Sequence, residues 1–233
     1  MRDTKYTAED FMEGQVLLFD KPLGWTSFQV VNKVRWLIRK SCKIKKIKVG
    51  HAGTLDPLAS GLLIICTGKF TKKIDEYQGQ EKEYTGTFTM GATTPSYDLE
   101  TEIDKTFPID HISQYDIDVA TAEFIGEIEQ IPPVFSALKK DGKRLYEYAR
   151  SGEEVEVKAR KVEITDFEIT ANRMPELDFR VVCSKGTYIR SLANDFGLAL
   201  GTGAHLSALR RTKIGTFHVD DAMDIPTFEN FLP

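Results

Sequence analysis

Residues 15–40 read QVLLFDKPLGWTSFQVVNKVRWLIRK and carry the local signals that decide the fold. The first five residues are a short apolar run typical of a buried strand, and the Asp20–Gly24 segment, with its proline and glycine, predicts a turn. Thr26 or Ser27 can cap the helix that follows, which we expect to continue to Lys40. The apolar residues of this helix recur at helical spacing and would form its buried face: Val30, Val31, Val34, Leu37 and Ile38.

Similar patterns recur along the rest of the chain. Residues 84–90 alternate large apolar side chains with threonines, which is the period of a strand. Apolar runs predict further strands at residues 62–66 (or the end of a short helix there), 162–169 and 177–183. Apolar spacing predicts helices at residues 145–150, 187–200 and 204–212. Because strands and helices do not alternate strictly, we expect an α+β fold with a mixed, largely antiparallel sheet flanked by helices.

Length and composition are those of an ordinary globular protein. The 233 residues suit one domain, and the hydrophobic fraction of 41% and charged fraction of 28% are typical. The longest apolar run, Leu62–Cys66, is far too short to cross a bilayer, so we expect no membrane contact. The polar residues Met1–Glu13 lack the features of a secretory signal, which favours a cytoplasmic protein.

Neither the cysteines nor the histidines indicate a metal site. Cys42, Cys66 and Cys183 are odd in number and widely separated, which argues against a disulfide framework and against zinc. The four histidines are scattered, with no metal-binding spacing. We therefore expect no metal.

Charge is distributed unevenly along this chain of net charge −4. Residues 21–55 contain nine Lys or Arg and no Asp or Glu, whereas residues 98–129 contain ten acids and one base. Such segregation can build a basic face that attracts a phosphate backbone. Charge alone leaves a second interpretation open, in which Lys43–Lys48 is a solvated loop.

The stretch GHAGTLDPLASG, residues 50–61, is the most informative in the chain. Its glycines allow tight backbone paths, and Asp56 stands between Leu55 and Pro57, so one carboxylate projects from a rigid, partly apolar loop. His51 adds a planar polar ring. Two interpretations remain open from these residues alone, a turn that Asp56 caps and a catalytic carboxylate.

This stretch resembles the catalytic motif of the TruB family of pseudouridine synthases, G-H-x-G-x-L-D-P-x-A-[ST]-G. Five further segments resemble the family's other motifs in the same order. They are Asp20–Ser27, Lys82–Tyr84, Gln130–Arg150, Cys183–Leu192 and Gly203–Thr212. The matches extend from about residue 14 to residue 217, and on them the chain is identified as a member of this family.

Two departures from the family pattern stand out. Thr101 occupies the place of a glycine in the motif T-x-S-D-x-x-G around Asp98, and we expect only a local change in that loop. Residues 218–233 are too few for the C-terminal RNA-binding domain of the PUA type that many relatives carry. We therefore expect a short form, a single pseudouridine synthase catalytic domain over residues 1–233 without a PUA domain.

The resemblance implies that the chain isomerises uridine-55 in the T arm of tRNA to pseudouridine, without a cofactor. The partner would be the tRNA T stem-loop, with no obligatory protein partner and a monomeric enzyme. The target base must leave its stack before the reaction. Asp56 would be the nucleophile through its ionised carboxylate, in direct attack on C1′ or in a glycal route, and the two stay open.

Two more residues would be catalytic by resemblance. Arg190 would keep the carboxylate of Asp56 ionised and fix its orientation, because a guanidinium is always charged. Tyr84 would stack on the flipped uracil and offer its hydroxyl for proton transfer. The ordinary alternatives are a surface helix cation for Arg190 and a cross-strand aromatic residue for Tyr84.

The remaining site residues would bind the substrate by resemblance. His51 would fill or support the space that the base vacates, with a structural loop histidine as the alternative. Tyr188 and Leu209 would line the base pocket, although a leucine more often packs in a core. Phosphate contacts are expected from Lys21 and from the Lys139–Arg150 segment. Because they hold the other available basic residues, the segments Lys33–Lys48 and Arg210–Lys213 are also expected to contact phosphates.

Two other functions remain as alternatives. A tRNA-binding folding helper would use the same basic surfaces, but RNA binding gains nothing from a buried carboxylate such as Asp56. A nucleoside glycosidase would need a route for water to reach C1′ and would not need a long basic surface.

Overall fold

The computed structural model describes residues 5–136, 138–140, 142–153 and 155–233, without the side chain of Arg150. The helices are α1 (Ala8–Glu13), α2 (Ser27–Ser41), α3 (Ile74–Gly79), α4 (Gln114–Glu123), α5 (Leu145–Ser151), α6 (Ile189–Ala199) and α7 (Ile225–Asn230), with 3-10 helices at Gly68–Lys73 and Val219–Asp221. The strands are β1 (Val16–Lys21), β2 (Val49–His51), β3 (Ala59–Thr67), β4 (Lys82–Met90), β5 (Ala92–Thr93), β6 (Lys105–Thr106), β7 (Gly126–Gln130), β8 (Lys139–Lys140), β9 (Lys143–Arg144), β10 (Arg160–Arg173), β11 (Glu176–Cys183), β12 (Ala204–Ile214) and β13 (Phe217–His218). Ala137 and Asp141 of the predicted Gln130–Arg150 motif lie outside the described residues.

The chain divides into two compact units. The first contains the residues up to Tyr84 together with Arg210–Pro233, and the second contains Thr85–Leu209. The strand order is β1-β3-β12 in the first unit and β12-β4-β11-β10-β7 in the second. The pairs β1–β3, β2–β3, β7–β10, β10–β11 and β12–β13 are all antiparallel. This confirms the predicted α+β fold with a largely antiparallel sheet.

The first unit contains the predicted strand, turn and helix of residues 15–40. The backbone N–H of Gln29 donates to Thr26 Oγ1 (3.1 Å), and Gln29 Oε1 accepts from the N–H of Thr26 (2.7 Å), so a capping box starts α2. The apolar face predicted for α2 is buried in one core with Leu17, Phe19 and other residues of β1 and β3. Local sequence signals and burial therefore agree here.

The second unit is built around an aromatic core. The rings of Phe88 and Phe179 stack with centroids 4.1 Å apart, and Phe167 of β10 and Phe196 of α6 pack against them. The predicted inward face of α6 is buried throughout: Ile189, Leu192, Ala193 and Phe196. This core fixes the start of α6, which carries Arg190.

One secondary-structure prediction was wrong. Residues 204–212 do not form a helix, because they belong to the long strand β12. Ser207 Oγ donates to the carbonyl oxygen of Thr87 (3.2 Å), and a Cβ on Gly86 would lie 2.3 Å from the carbonyl oxygen of Ala208, so β4 and β12 pack too closely for a side chain. The apolar residues of such a short segment fit a buried strand or a helix equally well, and here the contacts with β4 favour the strand.

The helices are short. The longest, α2, has 15 residues, and α5 ends at Gly152 in the left-handed conformation (φ 68°). Among the described residues, no helix is both long and apolar enough to cross a membrane.

Candidate active site

Asp56 lies on the loop of residues 52–58, called here the catalytic loop, which joins β2 to β3 in the first unit. Ser27 Oγ accepts the N–H of Leu55 (2.8 Å) and donates to its carbonyl oxygen (3.1 Å). The carbonyl oxygen of Asp56 accepts the N–H of Ala59 (3.1 Å). Leu55 is buried and Asp56 is only half-buried, so the leucine anchors the loop and the carboxylate stays partly accessible.

A buried arginine also supports the catalytic loop. Arg211 is 1% exposed, and its guanidinium donates to the carbonyl oxygens of Leu62 (2.8 Å), Gly53 (3.1 Å) and Thr54 (3.5 Å). A Cβ on Gly61 (φ 104°) would lie 2.3 Å from the Arg211 carbonyl oxygen, so this approach requires glycine. Sequence reasoning missed this anchoring role.

The cations of the Arg210–Lys213 segment have partners within the protein. Arg210 donates to both carboxylate oxygens of Asp20 (2.6 and 3.0 Å), and Lys213 pairs with Glu83 at 3.2 Å. Arg211 is buried, whereas the side chains of Arg210 and Lys213 are partly exposed, so the phosphate contacts of this segment stay a prediction.

Lys21 is fully buried beneath the turn before α2. Its ammonium donates to the carbonyl oxygens of Pro22 (3.0 Å) and Trp25 (2.6 Å). Burial lowers the pKa of Lys21 to about 8, while the charge of the nearby Asp56 carboxylate opposes that shift. This placement argues against the predicted phosphate contact, because the ammonium is already bonded inside the protein. It favours an electrostatic action on Asp56.

His51 ends β2 and is partly buried. Burial lowers the pKa of His51 below its usual value, the charge of Arg211 lowers it further, and a hydrogen bond with the backbone of Gly53 acts in the opposite direction. The imidazole is therefore neutral at neutral pH. A neutral planar ring suits contact with a base.

Arg190 lies in the second unit, in the first turn of α6, and is 4% exposed. Its Nη1 donates to the carbonyl oxygen of Phe135 (2.9 Å) and more weakly to that of Ser96 (3.4 Å), and its Nε lies 3.6 Å from Asp98 Oδ2. The alternative of a surface helix cation is wrong. A buried guanidinium held by a buried carboxylate has a fixed orientation.

Thr101 fits the loop around Asp98 without disrupting it. Its Oγ1 accepts the N–H of Ser96 (3.1 Å) and forms a hydrogen bond with Ser96 Oγ (2.9 Å). Asp98 Oδ1 accepts the N–H of Glu100 (2.9 Å). The departure from the family's glycine is thus accommodated by hydrogen bonds within the loop.

Tyr188 is fixed by Gln130, a residue that sequence reasoning had given no role. The backbone N–H of Tyr188 donates to Gln130 Oε1 (2.7 Å), and Gln130 Nε2 donates to the carbonyl oxygen of Tyr188 (3.1 Å). The guanidinium of Arg160 lies 4.7 Å from the Tyr188 ring centre. The partly buried ring is therefore well positioned.

Two candidates lie on strands. Tyr84 is buried near the start of β4 in the first unit, and Leu209 lies on β12 in the second. Leu209 is partly exposed, so it is not a fully buried core leucine.

The predicted Lys139–Arg150 segment is partly engaged in local contacts. Lys140 donates to the carbonyl oxygen of Glu156 (2.7 Å), and Lys143 pairs with Glu153 at 2.7 Å. Lys139 and Arg144 are exposed. Its role with phosphates remains a prediction.

Comparison with known families confirms the resemblance to the TruB family. The sequence model described as the TruB family pseudouridylate synthase N-terminal domain matches residues 39–189. The chain belongs to the TruB family. A second model, described as the tRNA pseudouridylate synthase B C-terminal domain, matches residues 190–232 of this TruB chain.

Two curated relatives are similar over almost their whole length. A protein named tRNA pseudouridine synthase B from Flavobacterium johnsoniae is 65% identical and aligns with 97% of this TruB chain and 99% of its own. One of the same name from Phocaeicola vulgatus is 57% identical, over 96% and 95% of the two chains.

Solved structures share the fold. A chain of the archaeal box H/ACA sRNP Nop10-Cbf5 complex superposes with a TM-score of 0.68 at 27% identity, covering 98% of this TruB chain and 56% of that chain. A chain of a Cbf5-Nop10-Gar1 complex gives a TM-score of 0.69 at 28% identity, over 100% and 65%. The TruB chain thus spans less than two thirds of either solved chain.

Proposed function

We propose that this TruB chain converts uridine-55 in the T arm of tRNA to pseudouridine, with Asp56 as the nucleophile. The observation that carries the proposal is the catalytic loop, which hydrogen bonds fix around one accessible carboxylate beside the charge of Lys21. Relatives named tRNA pseudouridine synthase B, which align over almost their whole length, support the substrate.

The chemistry is an isomerisation. The C1′–N1 bond breaks, the uracil turns, and C5 bonds to C1′, while N1 gains a proton and C5 loses one, so no atom is gained or lost overall. The carboxylate of Asp56 either attacks C1′ or assists a glycal route, and both routes need it ionised. The positive charge of Lys21 favours that form.

Arg190 is the second proposed catalytic residue. The proposal is supported by the burial, permanent charge and fixed orientation of the guanidinium. A partner for the nucleophile needs these properties. Asp98 is proposed as a positioning residue, because its carboxylate faces Arg190 Nε.

The remaining proposed roles concern the base. Tyr84 would stack on the flipped uracil and exchange a proton through its hydroxyl, and Tyr188 and Leu209 would line the pocket. His51, with its neutral ring, would occupy the space that the base leaves. The fixed backbone of Tyr188 supports its role, since stacking needs a ring whose position is set in advance.

We also infer that the chain acts on tRNA as a monomer in the cytoplasm. Light scattering of the purified protein with and without tRNA tests the monomer.

Tritium release from C5-labelled uridine in tRNA tests the proposed function. We expect release with the wild-type chain and none from a tRNA in which uridine-55 is replaced by cytidine. Binding of both tRNAs without release would support a folding helper instead, and release of free uracil would indicate a glycosidase.

A further inference from the structure

A basic pocket of about 730 Å³ lies in the first unit, away from the catalytic loop. Seven cations line it, two from α2, three from the segment before β2 and two from the 3-10 helix that follows β3. They are Arg35, Arg39, Lys45, Lys46, Lys48, Lys69 and Lys72. Among the described residues that line this basic pocket, none is an aspartate or a glutamate.

The walls of the basic pocket are fixed by hydrogen bonds. Arg35 donates to the carbonyl oxygen of Val49 (2.9 Å) and to Asn32 Oδ1 (2.7 Å), so its guanidinium is held in place. The N–H of Gly68 donates to the carbonyl oxygen of Lys48 (2.9 Å), which joins the two lysine-bearing segments. The pocket is therefore a feature of the folded unit.

Its charge calls for an anionic ligand. Lys69 pairs with Glu13 at 2.8 Å, but the other lysines that line the pocket are exposed cations close to one another. Like charges that line one pocket repel one another, and an anion between them offsets that repulsion. Lysine and arginine around a concave site are typical of phosphate binding.

The pocket and the catalytic loop lie at opposite ends of β3. Ala59, at the start of β3, is hydrogen-bonded to Asp56 of the catalytic loop. Gly68, which lines the basic pocket, follows Thr67 at the other end of the strand. The nine residues of β3 span roughly 26 Å at about 3.3 Å per residue. A phosphate in the basic pocket therefore cannot belong to the target nucleotide.

We propose that the basic pocket binds the phosphodiester backbone of the RNA substrate at a distance from the target uridine. The inference rests on the proposed function. A free nucleotide fits less well, because among the described lining residues there is no aromatic ring to stack on a base and no carboxylate to bind a ribose. The sugar–phosphate backbone needs neither.

Kinetics on RNAs of different length test the proposal. The triple variant Lys45→Gln/Lys46→Gln/Lys72→Gln removes three exposed cations of the pocket. Its matched control, Lys5→Gln/Lys105→Gln/Lys161→Gln, removes three exposed cations elsewhere. Each is assayed on a short T-arm hairpin, on a hairpin with a lengthened stem and on whole tRNA.

The pocket variant should raise KM on whole tRNA and the long hairpin by roughly tenfold or more, with kcat unchanged and the short hairpin affected less than about twofold. The slope of log(kcat/KM) against log salt concentration should become shallower by about 0.7 to 0.9 for each phosphate that the variant no longer neutralises. The control variant should change neither quantity. Since turnover of the short hairpin requires a folded active site, unchanged turnover there shows that the substitutions act on binding alone.

Three results would overturn the proposal. The first is a pocket variant whose kinetics match those of the control on every RNA. The second is a loss of kcat/KM on the short hairpin as large as that on whole tRNA. The third is a pocket variant that no longer binds tripolyphosphate, used as a free polyanion probe, but has unchanged kinetics on RNA. The last would assign the pocket to a free polyanion. If no RNA is isomerised at all, the proposed function fails, and fluorescence anisotropy with labelled whole tRNA still measures whether the pocket binds RNA.

Discussion

The two ends of β3 use positive charge in opposite ways. At the catalytic loop, Lys21 and Arg211 are buried and donate to backbone carbonyl oxygens. At the basic pocket, Lys45, Lys46 and Lys72 are exposed. Buried cations fix a loop and tune a carboxylate, whereas exposed cations are available to an RNA backbone. Burial, rather than the number of charges in a segment, separates the two functions.

The largest effect is expected from Asp56→Asn. The amide keeps the shape of the side chain and loses its nucleophilic charge, so the rate of tritium release should fall by at least about 10⁴-fold. Binding of tRNA, measured by anisotropy, should stay within about threefold of wild type because the basic pocket is untouched. Turnover near the wild-type rate would remove Asp56 from the mechanism.

Arg190→Met should be the next most harmful substitution. It removes a buried guanidinium and leaves Asp98 as a buried carboxylate without that partner. We expect this to lower the free energy of unfolding by about 3–5 kcal/mol. Single-turnover rates should fall by about 10²- to 10³-fold. Arg190→Lys is the informative control, since it keeps the charge and lacks the planar fork, and it should recover little activity. A nearly neutral Met variant would show that the guanidinium has no part in catalysis.

Arg211→Met should act through the fold of the catalytic loop. Three carbonyl oxygens would lose their donor, so urea unfolding should show a loss of about 2–4 kcal/mol. Lys72→Met is the matched control from the other end of β3, and its exposed cation should contribute less than about 0.5 kcal/mol. Equal losses in the two variants would contradict the distinction between buried and exposed cations.

Local signals in the sequence were sufficient for part of the fold. The strand, turn and helix of residues 15–40 follow from a capping residue, a Pro/Gly turn and helical spacing, all of which act between neighbours in the chain. Strand β12 could not be recognised in this way, because only its pairing partners distinguish a buried strand from a short helix.

The site was predictable to the extent that it depends on motifs. Asp56 on a rigid loop followed from the residues around it, while the burial of Lys21 and the anchoring by Arg211 depend on contacts between distant segments. Five of the seven cations of the basic pocket lie in the Lys33–Lys48 segment that was predicted to contact phosphates, but the other two were missed for the same reason. Lys69 and Lys72 join Lys45 only because β2 pairs with β3.

The smallest effect concerns the pH dependence that Lys21 imposes on the catalytic end. Its pKa in the folded chain is about 8, below its ordinary value of 10.5. The ammonium is therefore charged below pH 8 and loses its charge as the pH rises through that value. With the positive charge gone, the electrostatic field at the Asp56 carboxylate changes, and kcat/KM should fall by roughly tenfold, equivalent to about 1.4 kcal/mol.

Stability should change in the opposite direction, which separates the electrostatic effect from unfolding. Between the folded pKa of about 8 and the ordinary 10.5, the unfolded chain binds more protons at Lys21, so this group's contribution makes the fold more stable as the pH rises. A fall in kcat/KM near pH 8 without a fall in melting temperature would therefore point to the charge itself. In the variant Lys21→Met, residue 21 cannot titrate. The plot of kcat/KM against pH should therefore lie roughly tenfold lower than that of the wild type below pH 8 and should lack the fall near pH 8. Any effect of uracil ionisation would be present in both proteins. Two results would contradict this prediction: a wild-type kcat/KM that stays constant through pH 9, or a fall near pH 8 that persists in Lys21→Met. Either would show that Lys21 only supports the turn above it. The buried cations at this end of β3 would then fix the structure without tuning the nucleophile.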